Sequence, residues 1–352
     1  MSAVFDKVAA GAPSPPIGPQ RVAWLFRHQL RRHQVHPLLP AVLQYHGAMA
    51  SALGEPAAGP AVAGSKGPAT DHRIDAAVMA REVGDLPSLP KALLDAMALM
   101  RQDDSSVVDL ARSIEQDQAL TARALRVANS AFYGVSGRVG TVRNAIDVLG
   151  RRTVQSLLTT AALAAQFSPP RASGLDHKDF WRHAMATAMC ARSLAGALEL
   201  DGELAFTGGL LHDIGVLALA MRFPAAVAAV GARERETDQP RLEIERELLG
   251  LTHAEVGAMV ARHWHFPPEV VIAIEQHHAP QDSGTDRPGL GDIVHVADAI
   301  AHGLDLGHQP WQWIPTVAVH CWSRLALPTA TVHALMQSTG EQVNGLCEAL
   351  LS

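Results

Sequence analysis

From about residue 74 onward, apolar positions recur every three or four residues, the spacing that gathers side chains on one face of an α-helix. In "SSVVDLARSIEQD", Val107, Leu110, Ala111 and Ile114 share such a face, with Ser106 as N-cap and Asp109 three residues on as an approximate capping box. "ALTARALRVANSAFYG" follows with Leu120, Ala124, Val127 and Ala128 apolar, and ends near Gly134. "TVRNAIDVLGRRTVQSLLTTAALAAQF" predicts two more helices hinged at Gly150. Alternating strand patterns with hairpin turns and repeats of fixed period are hard to find. The pattern predicts an all-α protein, a bundle of many helices.

The same reading divides the chain. Residues 1–52 form an N-terminal extension, Pro/Gly/Ala-rich over 1–19 and free of acidic residues over 20–51. Val22, Leu25, Phe26, Leu30 and His33 fall at helical spacing beside Arg21, Arg27, Arg31 and Arg32, which predicts a short basic amphipathic helix. Such a helix either docks a partner or membrane surface, or folds back on the main domain. Residues 53–73 read as a flexible Gly/Ala/Pro linker, 74–303 as the main helical domain, and 304–352 as a C-terminal helical extension. In that last segment Trp311, Trp313 and Trp322 precede a stripe of Val332, Leu335, Met336, Val343, Leu346 and Leu350, suited to packing on the bundle or to a homodimer or partner face.

Polar residues interrupt the apolar stripes at telling places. In "GGLLHDIGVL", residues 208–217, His212 and Asp213 stand side by side. On one helix over 204–219, Asp213 shares a face with Phe206, Leu210 and Leu217, and His212 shares the adjoining one with Gly208, Leu211, Gly215 and Leu219. Both therefore point inward, where a carboxylate without a partner is costly. His253 opens the apolar stripe of "LTHAEVGAMVARHW", Val270, Val271 and Ile274 run into His277 and His278, and Asp298 sits within the stripe of "LGDIVHVADAIAHG". His183 borders a stripe of Ala184, Ala188, Ala191 and Ala195. Five helices thus each present one or two nitrogen or oxygen ligands to the interior. Imidazole with carboxylate suits Fe, Mn, Zn, Ni or Co, and the set His183, His212, Asp213, His253, His277, His278 and Asp298 is enough for two ions sharing a bridging carboxylate. Such a pair is suited to in-line attack on a phosphate ester, with His212 and Asp213 as the catalytic candidates. The competing reading is a set of interior His and Asp satisfied by one another and by backbone carbonyls.

Composition bounds these readings. The chain has 352 residues, 48% of them hydrophobic, enough for one or two cores. A net charge of −6 offers no general footprint for nucleic acid, and Arg123 and Arg126 alone are thin for a DNA-reading helix. Cys190, Cys321 and Cys347 are too scattered for a disulfide framework or a thiolate zinc site. No apolar run reaches the ~18 residues of a transmembrane segment, and "MSAVFDKVAAGAPSPP" lacks the signature of a signal peptide. The expected address, by elimination, is cytoplasmic. Of 18 His, many lie between 177 and 333.

The order H…HD…H…HH…D resembles the HD superfamily of metal-dependent phosphohydrolases, and its HD-GYP phosphodiesterase branch most closely. The wider frame resembles HDOD domains, found in bacterial signalling proteins. It is carried by "LPSLPKALLDAM" (86–97), "LARSIEQDQALTARALRVANSAFYG" (110–134), "AIDVLG" (145–150), "FTGGLLHDIGVLAL" (206–219), "HAEVGAMVARHW" (253–264) and "AIEQHHAP" (273–280). The resemblance implies an all-α bundle of HD/HDOD type, bacterial signal transduction, and a signalling protein partner or nucleotide ligand. HDOD domains are generally regarded as lacking hydrolase activity; the alternative is a divalent-metal phosphohydrolase acting on a nucleotide or cyclic dinucleotide. It places the family's metal ligands on the seven residues above. Two departures bear on turnover. The branch carries a lysine after the glycine of HDxG, where Val216 stands here, and "HHAPQDSGTDRPGLGD" replaces the Gly-Tyr-Pro loop, with Arg287 as a candidate phosphate contact. Loss of such a lysine removes electrostatic stabilisation worth about 10²-fold in rate.

Overall fold

The computed structural model describes residues 19–31, 36–48, 72–86, 107–129, 139–151, 169–237, 239–306 and 313–351, with isolated positions between 154 and 167. The Ser106 cap, the helix end near Gly134, Trp311, most of the linker and most of the stretch 86–97 lie outside the described residues. Among the described residues there are helices and turns and no strand.

Three short helices, α1 (Pro19–Leu25), α2 (Arg27–Arg31) and α3 (Leu39–Tyr45), precede α4 (Ala76–Gly84). Then come α5 (Val107–Glu115), α6 (Gln118–Ala128) and α7 (Val142–Leu149), the last capped by the Thr141 side chain and ended at Gly150 with φ 83°. The site is built on the following helices. They are α8 (His177–Ala197), α9 (Gly202–Leu211), α10 (Ile214–Arg222), α11 (Pro224–Thr237), α12 (Arg241–Leu248), α13 (His253–His263), α14 (Pro268–Gln276) and α15 (Leu290–Leu304). Helices α16 (Val319–Leu325) and α17 (Thr329–Leu351) close the chain.

Helix α8 is the axis of the bundle, packing against α9, α15 and α17. Asp176 caps its start by accepting the Lys178 and Asp179 amides. Ala184, Ala188, Ala191 and Ala195 along it are fully buried. These small side chains let α9 approach until a methyl on Gly209 would lie 2.8 Å from Ala188 Cα. The same device recurs where α10 meets α13. A methyl on Gly215 would fall 1.9 Å from the His253 carbonyl oxygen and 2.6 Å from Gly257 N. Backbone contact at both places draws His183, Asp213 and His253 toward one another.

The terminal segments grip the end of α15. Arg21 and Asp305 form a buried bidentate ion pair. Ile314 N donates to Leu25 O at 2.9 Å, Gln29 Nε2 donates to Ile314 O at 2.8 Å, and His46 Nε2 lies 2.9 Å from Gly303 O. The 313–317 segment is thus tied to α1 and α2, and α17 packs on α3 and α8.

Residues 202–222 are apolar and long enough, by count, to cross a membrane, which corrects the expectation that no run reaches that length. His212 and Asp213 do not offset the leucine and alanine around them. The segment is two helices, α9 and α10, mostly buried in the bundle.

Gly215→Ala is expected to force α10 from α13 and to destabilise the protein by about 1–3 kcal/mol, the range of core overpacking. Urea unfolding with a lowered midpoint at unchanged slope is the measurement.

Candidate metal centre

One continuous helix over 204–219 is not what forms. Helix α9 ends at Leu211, α10 begins at Ile214, and Asp213 between them has φ −101°, ψ 12°. The cause is local. His212 Nδ1 lies 2.7 Å from the Gly209 carbonyl oxygen, the acceptor that the Asp213 amide would use in an unbroken helix. Val216 N instead closes a tight turn on Asp213 O at 2.8 Å. The break turns both side chains toward the same interior point.

All seven predicted ligands meet there, in two groups. His183, His212 and Asp298 form one, Asp213, His253, His277 and His278 the other, and within each the ligand atoms lie within 4.8 Å of one another. His183 Nε2 is 3.0 Å from Asp298 Oδ1 and 3.2 Å from His212 Nε2. His253 Nε2 is 2.8 Å from His278 Nε2. Asp213 joins the groups. Its Oδ2 lies 3.4 Å from His212 Nε2, and its Oδ1 lies 3.2 Å from His253 Nε2 and 3.5 Å from His277 Nε2.

The outer hydrogen bonds decide which nitrogens face inward. His212 Nδ1 meets Gly209 O and His277 Nδ1 meets Ile274 O, both at 2.7 Å, so each Nδ1 carries the proton and each Nε2 offers a lone pair. His253 Nδ1 is 2.7 Å from Glu245 Oε2. His277 Nε2 and Asp298 Oδ1 are buried and, apart from the imidazoles and carboxylates of the centre itself, face no group that satisfies them. Buried acceptors aimed at one another repel unless a proton or cation lies among them. Imidazole held by backbone carbonyl or carboxylate on its outer nitrogen, with carboxylate beside it, is the donor chemistry of a divalent first-row metal.

Without a metal, the site orders its protons by charge. Burial lowers the His212 pKa, but Asp213 and Asp298 outweigh it and raise it to about 9. Burial likewise opposes a proton on His253, yet Glu245 and Asp213 raise its pKa to about 10. Asp213 is held well below the usual carboxylate range, its burial outweighed by His212, His253 and His277. His278 moves well down, through burial first and then His277 and His253.

Three neighbours escape the sequence reading. Glu245, 1% exposed on α12, accepts both the Nδ1 proton and the backbone amide of His253, the latter at 2.9 Å. His302 stands one turn beyond Asp298 with Nε2 3.5 Å from Asp298 Oδ1; burial drives its pKa down to about 4. The i, i+4 spacing of Asp298 and His302 on an apolar helix was a legible signal for it. His295 Nδ1 lies 2.6 Å from His277 O and fixes that backbone.

A cavity of about 740 Å³ opens on the centre. Asp213, His253, His278 and Asp298 line it, together with Arg182, Arg235 and Arg241 and, from the C-terminal segment, Trp313 and Thr316. Val216 lines it too, whereas Arg287 is exposed on its loop and does not. A separate grouping of Asp292, His320 and Cys321 already holds a cation, since Arg324 Nη1 donates to both Asp292 oxygens at 3.1 and 3.3 Å.

Comparison with known proteins shows which family and which folds the chain is similar to. The HDOD domain family matches residues 86–280. An uncharacterised protein of Treponema pallidum (strain Nichols) is 27% identical over 242 residues, 68% of this chain and 46% of that protein. The chain therefore spans about half the length of that curated relative. The crystal structure of a presumed phosphohydrolase from Shewanella amazonensis SB2B is 28% identical with TM-score 0.63, covering 77% of this chain and 97% of that one. A presumed signal transduction protein from Marinobacter aquaeolei VT8 shares the fold at TM-score 0.64 and 22% identity, covering 93% of this chain and 67% of that one.

A pKa raised on folding stabilises the native state fully below its unfolded value, and that contribution fades as pH rises through the folded value. His212 and His253 shift from 6.5 to about 9 and about 10. Metal-free protein is therefore expected to lose stability from neutral pH upward through that window. Protein loaded with Mn²⁺ has no such protons to lose, and its urea midpoint is expected to hold over the same range.

Proposed function

Because the chain belongs to the HDOD domain family, we propose that it is a signalling-type protein that has kept HD chemistry, a divalent-metal-dependent phosphohydrolase. The observation that carries this reading is Asp213, with one oxygen facing His212 and the other facing His253 and His277. A carboxylate set between two imidazole-rich groups would suit two divalent ions held side by side. Two divalent ions there would polarise a phosphate ester and acidify a water.

The chain's own residues do the rest. His183, His212 and Asp298 would hold one ion, and His253, His277 and His278 the other, with Asp213 shared. Glu245, Gly209 O and Ile274 O keep three of the rings in orientation. Phe180, Val216 and Val227 line the cavity with apolar surface that limits water near the reacting ester. The 28% identity to a presumed phosphohydrolase over nearly all of its length supports the same reaction class.

A second reading follows from Val216. With no lysine after HDIG, metal or ligand occupancy alone would shift a partner equilibrium, without turnover.

Elemental analysis of purified protein, followed by hydrolysis of bis(4-nitrophenyl) phosphate and of a cyclic dinucleotide with added Mn²⁺, separates the two. The expected result is about two metal ions per chain and turnover that Asp213→Ala lowers by ~100-fold or more. Bound metal with no turnover in wild-type protein favours the second reading. No bound metal removes both.

A further inference from the structure

Where a phosphohydrolase of this kind would carry a lysine, Val216 leaves the cavity without a cation from α10. A positive group is nevertheless present, brought from a different helix. Arg241 is the first residue of α12, its start set by Pro240 at φ −58°. It lines the cavity beside Asp213, His253 and His278. The charges of Arg241 and Asp213 act on each other.

Its guanidinium is braced at two of its three nitrogens. Nε donates to Glu245 Oε1 at 2.9 Å, and Nη1 lies 3.5 Å from Glu234 Oε2. Among the described residues Nη2 has no protein partner. Glu245 is in turn fixed through its other oxygen, which accepts two hydrogen bonds from His253. Glu234 and Glu245 thereby fix the guanidinium at the cavity wall.

We propose that Arg241 is the phosphate-binding residue of this site, replacing from α12 the contact that Val216 cannot make. The inference rests on the phosphohydrolase reading for its choice of anion. A planar, permanently charged guanidinium beside a metal centre suits a phosphoryl oxygen pair better than a carboxylate already engaged in the protein. Two other arginines line the cavity: Arg182 donates to Asp179 on its own helix at 2.5 Å, and Arg235 stands on α11, whereas Arg241 braces Glu245, the residue that holds His253.

The test uses the full chain loaded with Mn²⁺, with inorganic phosphate as the probe by isothermal titration calorimetry and elemental analysis in parallel. Arg241→Gln is expected to retain its metal and to weaken phosphate binding about tenfold, as loss of one charge-assisted contact does. Arg241→Lys keeps the charge without the fork and is expected to weaken it about threefold. Unchanged phosphate affinity in Arg241→Gln overturns the proposal, as does wild-type protein that takes up no phosphate in the millimolar range. Joint loss of metal and phosphate in Arg241→Gln also overturns it, because that marks a guanidinium that only braces Glu245 and His253. If circular dichroism shows the Gln variant unfolded, the Lys variant decides, and unchanged affinity there counts against the assignment. Arg241-dependent phosphate binding without ester hydrolysis sinks the phosphohydrolase reading and leaves this one standing. Hydrolysis and phosphate binding undiminished in Arg241→Gln do the reverse.

Discussion

An ionised carboxylate in the middle of a helical bundle is the constraint around which this protein is arranged. Taking Asp213 out of water costs several kcal/mol unless positive charge or protons meet both of its oxygens. The imidazoles of His212, His253 and His277 meet them at 3.2–3.5 Å. They do so because the helix carrying Asp213 breaks there. A continuous helix would have kept His212 and Asp213 on the buried side but about 100° apart, on adjoining faces rather than at one point.

The break depends on packing that looks unrelated to chemistry. Gly209 and Gly215 flank it and bring α9 and α10 into backbone contact with α8 and α13. A capping box of Thr252 and Glu255 starts α13 and sets His253 at its first position. Stability and site geometry are therefore the same contacts counted twice. The outer hydrogen bonds to Gly209 O, Ile274 O and Glu245 then lock ring orientation before any ligand arrives.

Much of this was legible in the residues, for a physical reason. Helical periodicity needs only the alternation of apolar and polar positions, and a polar side chain inside an apolar stripe marks itself. His253, Asp298 and the His277–His278 pair stood out in that way, and the family resemblance is shown by the match over 86–280. The break at 212–213 was hidden, because apolar residues continue on both sides and a side chain capping its own helix leaves no periodic trace. Glu245 and Arg241 were hidden for the opposite reason. "RLEIEREL" reads as a solvated charged helix with an i, i+4 pair, and only the fold reveals that one face of it is buried against His253. Residues 53–71 and Ser106 fall outside the described residues.

The family match ends at residue 280, yet α15 carries Asp298 and His302, and the 313–316 segment forms a wall of the cavity. That segment is stitched to α1, to α2 and to the turn before α3 through Leu25, Gln29 and His36 respectively. A fragment excised at the family boundary would thus forfeit the Asp298 carboxylate of the centre and a rim of the vestibule together. Changes in the two ends of this chain would then reshape the entrance to the chamber without touching the His and Asp side chains at its floor that α8 to α14 supply.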